Sequence, residues 1–416
     1  MTLCNPRSDE NASPEAPSLP TWDILDDWAR SRVQDFVQII LEEEVTELLG
    51  RHRHQRKPEI DADPGYRNGY GKPRRLTLKG GTITLRRPRV RNLDERFESR
   101  ILPLFKRRTQ AVGDLLPELY LHGLAERDFD MALRGLLGDG APLSASTVAR
   151  LKDKWHAEFA LWNERRLDDL EVVYVWGDGV YVKAGLEKEK ACLLVLIAAL
   201  ADGSKVVLAV EEGYRESTLS WKTLLRDLRD RGLRVPRLVV GDGAMGLWAA
   251  LDEIFPATDQ QRCWNHKMAN VTDKVPEKHR IEAKERLRKV VYAKTLEKAE
   301  KERDRFIAWA LKNGWEKAAK CLADDWDRMV TFYRYPKKHW IHLRTSNIVE
   351  SPFAVVRLRT NAAKRYKKSS RAAAVIWKSL LIAEKTFRRL NAPELLKEVM
   401  EGAKFQDGTR IQPAAA

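Results

Sequence analysis

Apolar residues recur at helical spacing from Val33 to Leu49 (Phe36, Val37, Ile40, Leu41, Val45, Leu48), which predicts an amphipathic helix. A basic loop, RHRHQRK, comes next, and then RRLTLKGGTITLRRPRVR alternates on either side of Gly80-Gly81. That alternation predicts a β-hairpin whose polar face carries Arg74, Lys79, Arg86 and Arg89. Such a face is either a solvated strand surface or a ribbon that contacts phosphate. Further on, FDMALRGLLGDGAPLSASTVARLKDKWHAEF has the outline of a helix-turn-helix: a short helix ending at Gly138, a Gly/Pro turn, and Ser144 capping a second helix. Ser146, Thr147 and Arg150 then point outward, and they are side chains suited to a DNA groove. Any helical hairpin shares that outline.

The pattern changes after NERRLDDLE. EVVYVWGDGVYVKAG, EKACLLVLIAALADG and KVVLAVEEG are three apolar runs separated by turns, which suits three successive antiparallel strands. STLSWKTLLRDLRDRG gathers Trp221, Leu224, Leu225 and Leu228 on one helical face and leads into a fourth strand, RLVVGDG. MGLWAALDEIF is a second helix and ATDQQRCW a fifth strand. Three meandering strands followed by alternating helix and strand is the order of a ribonuclease H-like α/β fold. From about Asn270 to Tyr335 the chain is rich in Lys, Glu and Trp with no strand signal, as in an all-helical insertion, and helices resume from HLRTSNIVES onward.

Charge narrows the class of partner. The 416 residues carry 75 Lys and Arg against 60 Asp and Glu, a net +15, which favours nucleic acid over a membrane surface. The most apolar run, ACLLVLIAALA, is about half of the roughly 20 residues a spanning helix needs. The N-terminus shows no signal-peptide core, and the scattered Cys4, Cys192, Cys263 and Cys321 suit a reducing compartment, so a soluble, cytoplasmic protein is expected. The first 20 residues, rich in Pro, Ser and acids, offer almost nothing to bury and are read as disordered.

Two carboxylates stand out. Asp178 in WGDGV is near the end of the first strand, and Asp242 in VVGDGAMG ends the fourth. Asp-Gly is a common turn dipeptide, so each alone says little. Adjacent first and fourth strands bring both to one sheet edge, where they can share Mg²⁺ or Mn²⁺ for phosphodiester chemistry. Glu350 opens the C-terminal helices; the competing reading is a capping box with Asn347, against which Pro352 argues. From Ala354 to Arg389 eleven Lys and Arg face one acid, Glu384, and Arg357, Arg359, Lys364, Arg365, Lys367 and Lys368 read as a surface that tracks phosphates. Cys263 and His266 have the spacing of half a zinc site, but a structural site needs two further ligands, and Cys192, Cys321 and His279 are poor candidates.

The order and spacing of RNGY, LRRPRVR, GDGVYVK, GDGAMGLWAALDEIFP, QRCWNHKMANVTDKVP, HLRTSNIVES and VRLRT resemble the bacterial Mutator-type insertion-sequence transposases over most of the chain. The resemblance implies a ribonuclease H-like catalytic domain with a helical insertion before the last acidic residue, and an Asp-Asp-Glu catalytic set on Asp178, Asp242 and Glu350. It also implies a Cys-x-x-His signature on Cys263 and His266 beside the active site, where His266 touches the scissile phosphate or orients a carboxylate. Two Mg²⁺ or Mn²⁺ ions, terminal inverted repeats and target DNA as partners, assembly as a homo-oligomer on DNA, a nucleoid-associated location and, in many members, a circular DNA intermediate are further implications. Pro352 and KRYKKSS depart from the family pattern and bear on local geometry and DNA contacts. The expected organisation is a tail (1–20), an N-terminal helix plus basic hairpin (21–110), a helix-turn-helix-like DNA-binding region (111–168), the first part of the catalytic core (169–269), the insertion (270–341), the C-terminal core helices (342–395) and a tail (396–416). A DNA-binding regulator without catalysis and a structure-specific nuclease are the competing readings; the intact acidic set counts against the first.

Overall fold

The computed structural model describes residues 20–56, 65–125, 128–137, 145–184, 190–213, 215–243, 245–363 and 366–411. The expected N-terminal disorder, Cys4, the turn 138–144 with its Ser144 cap, and Lys364 and Arg365 lie outside the described residues. The chain divides into two units, residues 1–118 with 126–147, and residues 119–125 with 148–416.

In the first unit, helix α1 (Leu25–Leu49) ends at Gly50 in the left-handed region. Its buried side chains are Leu41, Glu44, Val45 and Leu49, whereas Phe36 and Leu48 are exposed. The expected apolar stripe is therefore used only toward the C-terminal half. Strand β1 (Tyr66–Tyr70) pairs with β4 (Pro88–Arg91), and between them β2 (Arg74–Leu78) and β3 (Gly81–Leu85) form the expected antiparallel hairpin with Leu78 opposite Gly81. Leu76, Ile83 and Leu85 from the hairpin, with Leu41 and Leu102, form a small core. On the hairpin's polar face Arg74 donates to the carbonyls of Pro103 and Lys106, so that cation is held by its own chain. Helices α2 (Gln110–Leu121) and α3 (Phe129–Leu137) follow, and then α4 (Ala145–Asn163), whose residues from 148 onward belong to the second unit, as do residues 119–121 of α2.

The second unit is built on a five-stranded mixed sheet. Strands β5 (Val172–Val182), β6 (Ala191–Leu200) and β7 (Lys205–Gly213) meander antiparallel; after helix α5 (Thr218–Asp230), β8 (Leu238–Gly241) returns parallel to β5, and after α6 (Met245–Ile254), β9 (Asp259–Arg262) lies parallel to β8. The spatial order is β7-β6-β5-β8-β9, so the first and fourth strands of the series are neighbours, as the sequence predicts. Both faces are covered, which is why β5 and β6 read as near-continuous apolar runs rather than alternating ones. Val175, Leu194, Leu196 and Val239 pack on Trp221, Leu224, Leu225, Leu247 and Leu251 of α5 and α6. On the other face Tyr174 bonds His339 Nδ1 at 2.9 Å and Trp176 donates to the His342 carbonyl at 3.0 Å.

Helices α7 (Trp264–Thr272), α8 (Arg280–Val291), α9 (Leu296–Lys312), α10 (Glu316–Ala323), α11 (Trp326–Met329) and α12 (Trp340–Leu343) follow β9, with no strand among the described residues of that stretch. Then come α13 (Asn347–Glu350), α14 (Phe353–Ala363), α15 (Ser369–Glu384) and α16 (Glu394–Met400). The C-terminal segment expected as a tail instead continues α16 and closes with a small hairpin, β10 (Phe405–Gln406) and β11 (Thr409–Arg410), in which Phe405 is buried and the Gly408 carbonyl accepts from the Lys337 N–H. Among the described residues no helix is long and apolar enough to cross a membrane.

Candidate active site

Strand alternation fixes which way Asp178 faces. It follows Tyr174 and Trp176 at steps of two, on the side of the sheet away from α5 and α6. In the parallel pairing Trp176 stands opposite Val240, and two residues further along each strand are Asp178 and Asp242. The register alone therefore brings the two acids together. Gly243, at φ 103°, makes the turn after Asp242 in a conformation that a side chain would strain. Asp178 is half-buried and accepts the Gly179 N–H at 2.8 Å. Burial first, and then the negative charges of Asp242, Glu216 and Glu350, push its pKa up to about 7 even though the Gly179 hydrogen bond opposes the shift.

A third carboxylate completes this edge. Glu216 lies in the connection from β7 to α5, next to Ser217, which caps α5 by accepting the Ser220 N–H at 3.2 Å. Oxygens of Asp178, Glu216 and Asp242 all lie within 4.8 Å of one another. The sequence reading missed Glu216, which stands in a loop behind two other glutamates of the same run, EEGYRES. Its one local signal is an acid directly preceding a helix cap.

Glu350 approaches from α13 and has different immediate neighbours. Cys263, fully buried, precedes α7 and accepts the Ser346 N–H at 3.3 Å through its Sγ, while the Trp264 N–H donates to the Arg344 carbonyl at 2.9 Å. These two bonds tie the segment before Glu350 to the end of β9. Ser346 Oγ donates to the Glu350 carboxylate. His266 Nδ1 is 3.8 Å from Glu350 Oε1, and Cys263, His266 and Glu350 each place a donor atom within 4.8 Å of the other two. The interaction of His266 with Cys263, against the opposing effect of burial and aided by Glu350 and Asp242, pushes its pKa up to about 9, so the imidazole is a cation at neutral pH. Its Nδ1 is buried and faces Glu350 Oε1 beyond hydrogen-bond distance.

The capping-box alternative for Glu350 does not match the structure. Asn347 is already helical and its side chain accepts from Asn265 Nδ2 at 2.9 Å; Ser346 is the cap residue. Pro352 sits in the break between α13 and α14, where its missing N–H costs little.

A model of the family described as Transposase, Mutator family matches residues 10–383. The chain belongs to the Mutator family of transposases. It is 43% identical over 302 residues to the transposase for insertion sequence element IS6120 of Mycolicibacterium smegmatis, covering 72% of this chain and 93% of that one. It is 40% identical over 279 residues to the transposase for IST2 of Acidithiobacillus ferrooxidans (67% and 94%), and 30% identical over 339 residues to that for ISRM5 of Rhizobium meliloti (80% and 82%). As a Mutator-family transposase, it is a DNA-cutting enzyme of transposition.

The basic residues of this transposase divide. Arg359, read from the sequence as a phosphate contact, is 1% exposed: its guanidinium donates to the carbonyls of Tyr120 at 2.6 Å and Leu124 at 2.9 Å and lies 3.9 Å over the Tyr120 ring. It is a structural cation. Arg371 and Lys378 pair with Asp153 and Glu158 of α4 at 3.2 and 2.7 Å. Arg357, Lys367 and Lys368 are exposed, as is Arg86 on the hairpin. Thr147 is buried, contrary to the expectation that it points outward, while Arg150 is exposed; the Ser146 side chain lies outside the described ones.

Proposed function

We propose that this transposase binds the terminal inverted repeats of an insertion sequence and carries out metal-dependent strand nicking and strand transfer at a ribonuclease H-like site formed by Asp178, Asp242 and Glu350. The observation that carries the reading is the convergence of Asp178, within β5, and Asp242, just past the end of the parallel neighbour β8, with Glu350 close enough to raise the Asp178 pKa. The strand order β7-β6-β5-β8-β9 and the helical stretch before Glu350 support the fold assignment. The donor set fits Mg²⁺ or Mn²⁺: hard carboxylate oxygens, half-buried, crowded enough that Asp178 resists ionisation without a cation. Two such ions, when bound, supply a more acidic attacking water or 3′-hydroxyl and positive charge for the in-line displacement.

The protein's own groups do the rest. Asp178 and Asp242 hold one edge of the site rigidly because the sheet register holds them. Glu350 is steered by Ser346 and tethered through Cys263. His266, whose Nδ1 faces Glu350 at 3.8 Å, brings positive charge beside that carboxylate, where a scissile phosphate would bind. Arg86, Arg150, Arg357, Lys367 and Lys368 supply exposed charge for DNA, and the enzyme assembles as a homo-oligomer on it. The test is nicking and joining of a duplex ending in the element's inverted repeat. Asp178→Asn, Asp242→Asn and Glu350→Gln are expected to abolish both steps and leave repeat binding within a few-fold; retained cleavage in any of them contradicts the assignment.

A further inference from the structure

Of the three carboxylates gathered at the sheet edge, one, Glu216, has no part in that mechanism. We propose that Glu216 is a fourth catalytic carboxylate of this site, sharing a divalent cation with Asp178 and Asp242. The inference rests on the active-site reading above and extends it by one residue.

Several independent features aim Glu216 at that point. A Cβ at Gly179 would lie 2.8 Å from the Glu216 Cδ and 2.9 Å from its Cγ, so the residue after Asp178 lacks a side chain where the Glu216 carboxylate needs the space. A Cβ at Gly246 would lie 2.5 Å from the Glu216 carbonyl oxygen and 2.8 Å from the Thr218 nitrogen, so the start of α6, just past Asp242, packs directly on the Glu216 backbone. Tyr181, three residues beyond Asp178 on β5, donates its hydroxyl to Glu216 Oε1 at 3.0 Å and fixes one oxygen. Both segments that carry the aspartates thus also shape the seat of Glu216.

The charges around it are wrong for a purely structural acid. It is half-buried, and its neighbours at this point are two aspartates. Glu212, near the end of β7, shows the ordinary alternative: it is exposed and accepts a hydrogen bond from Ser369. A half-buried glutamate held 4.8 Å or less from two aspartates is stabilised when a cation binds among them, and each added carboxylate strengthens that binding.

The experiment is a titration of the full-length protein with Mn²⁺ alone, read by calorimetry and by the metal-induced rise in melting temperature, without DNA. Glu216→Gln keeps the shape and the acceptor for Tyr181 but removes the charge. It is expected to weaken Mn²⁺ binding by about tenfold or more, with Glu216→Asp recovering part of the loss, while Glu212→Gln stays close to wild type. Glu216→Gln binding Mn²⁺ as the wild type does, while Asp178→Asn loses it, would overturn the proposal and leave the active-site reading intact. If Asp178→Asn also binds normally, that reading fails and the role of Glu216 fails with it.

Discussion

The acids that meet beside β5 and β8 and the bases that follow Glu350 are both concentrations of like charge, yet the fold treats them in opposite ways. Asp178, Glu216 and Asp242 are drawn together, partly desolvated, and left to repel one another. The cations are dispersed: Arg359 is buried against backbone carbonyls, Arg371 and Lys378 are matched to α4 acids, and Arg357, Lys367 and Lys368 remain in solvent. Burying like charges together costs stability, so an arrangement that persists with that cost points to a ligand of opposite sign. Exposed or paired bases cost nothing comparable, and their density alone does not say which of them meet DNA.

The contrast breaks most sharply if a sheet-edge acid proves dispensable. Asp178→Asn and Asp242→Asn are expected to lower nicking at a repeat end by at least about 10²-fold, the scale of losing one charge-stabilising group, with DNA affinity little changed in a gel-shift assay. Next in size is Arg359→Met, which removes the guanidinium from the Leu124 carbonyl and leaves the Tyr120 carbonyl with the Gly123 N–H, and is expected to cost about 1–3 kcal/mol of stability in thermal melts. An Arg359→Met protein of unchanged stability but weakened DNA binding would return Arg359 to the DNA-contacting set.

The outline of the catalytic unit was legible because its physics is local. Long apolar runs mark strands covered on both faces, and in the first unit Gly80-Gly81 likewise marks a hairpin that the structure contains. The adjacency of the first and fourth strands followed from the order of elements, and with it the meeting of Asp178 and Asp242. What stayed hidden depends on tertiary placement. Glu216 looks like Glu211 and Glu212 until the β7–α5 connection folds back over Gly179. Arg359 looks like Arg357 until α14 turns one of them inward, and Thr147 is buried where small hydroxyls on a helix suggest a groove.

Acidity gives a subtler contrast. Because the folded-state pKa of Asp178 is raised to about 7, its ionisation opposes folding: the stability it contributes is present at pH 4 and lost as pH rises through 7. Metal-free Asp178→Asn, which cannot ionise, is expected to gain stability relative to wild type by about 1–3 kcal/mol as pH rises from 4 to 8, with the gain cancelled by Mg²⁺. A flat difference across that range would mean that Asp178 is not held under charge stress. The smallest effect belongs to the exposed bases: Arg357→Ala, Lys367→Ala and Lys368→Ala are each expected to change stability by less than about 0.5 kcal/mol and to reduce the salt dependence of DNA binding by up to about one unit of slope.

Glu350 is the acid on which the two halves of the contrast meet, since it stands beside His266 and Cys263 yet still bears on Asp178. The most direct measurement is therefore the rate of nicking and joining by Glu350→Gln on a repeat-ended duplex with Mg²⁺, alongside its affinity for the same duplex. The account expects near-normal binding with neither nicking nor joining; a Glu350→Gln enzyme that cuts and joins at the wild-type rate would reduce Glu350 to the acceptor of the Ser346 hydroxyl and contradict the proposed mechanism.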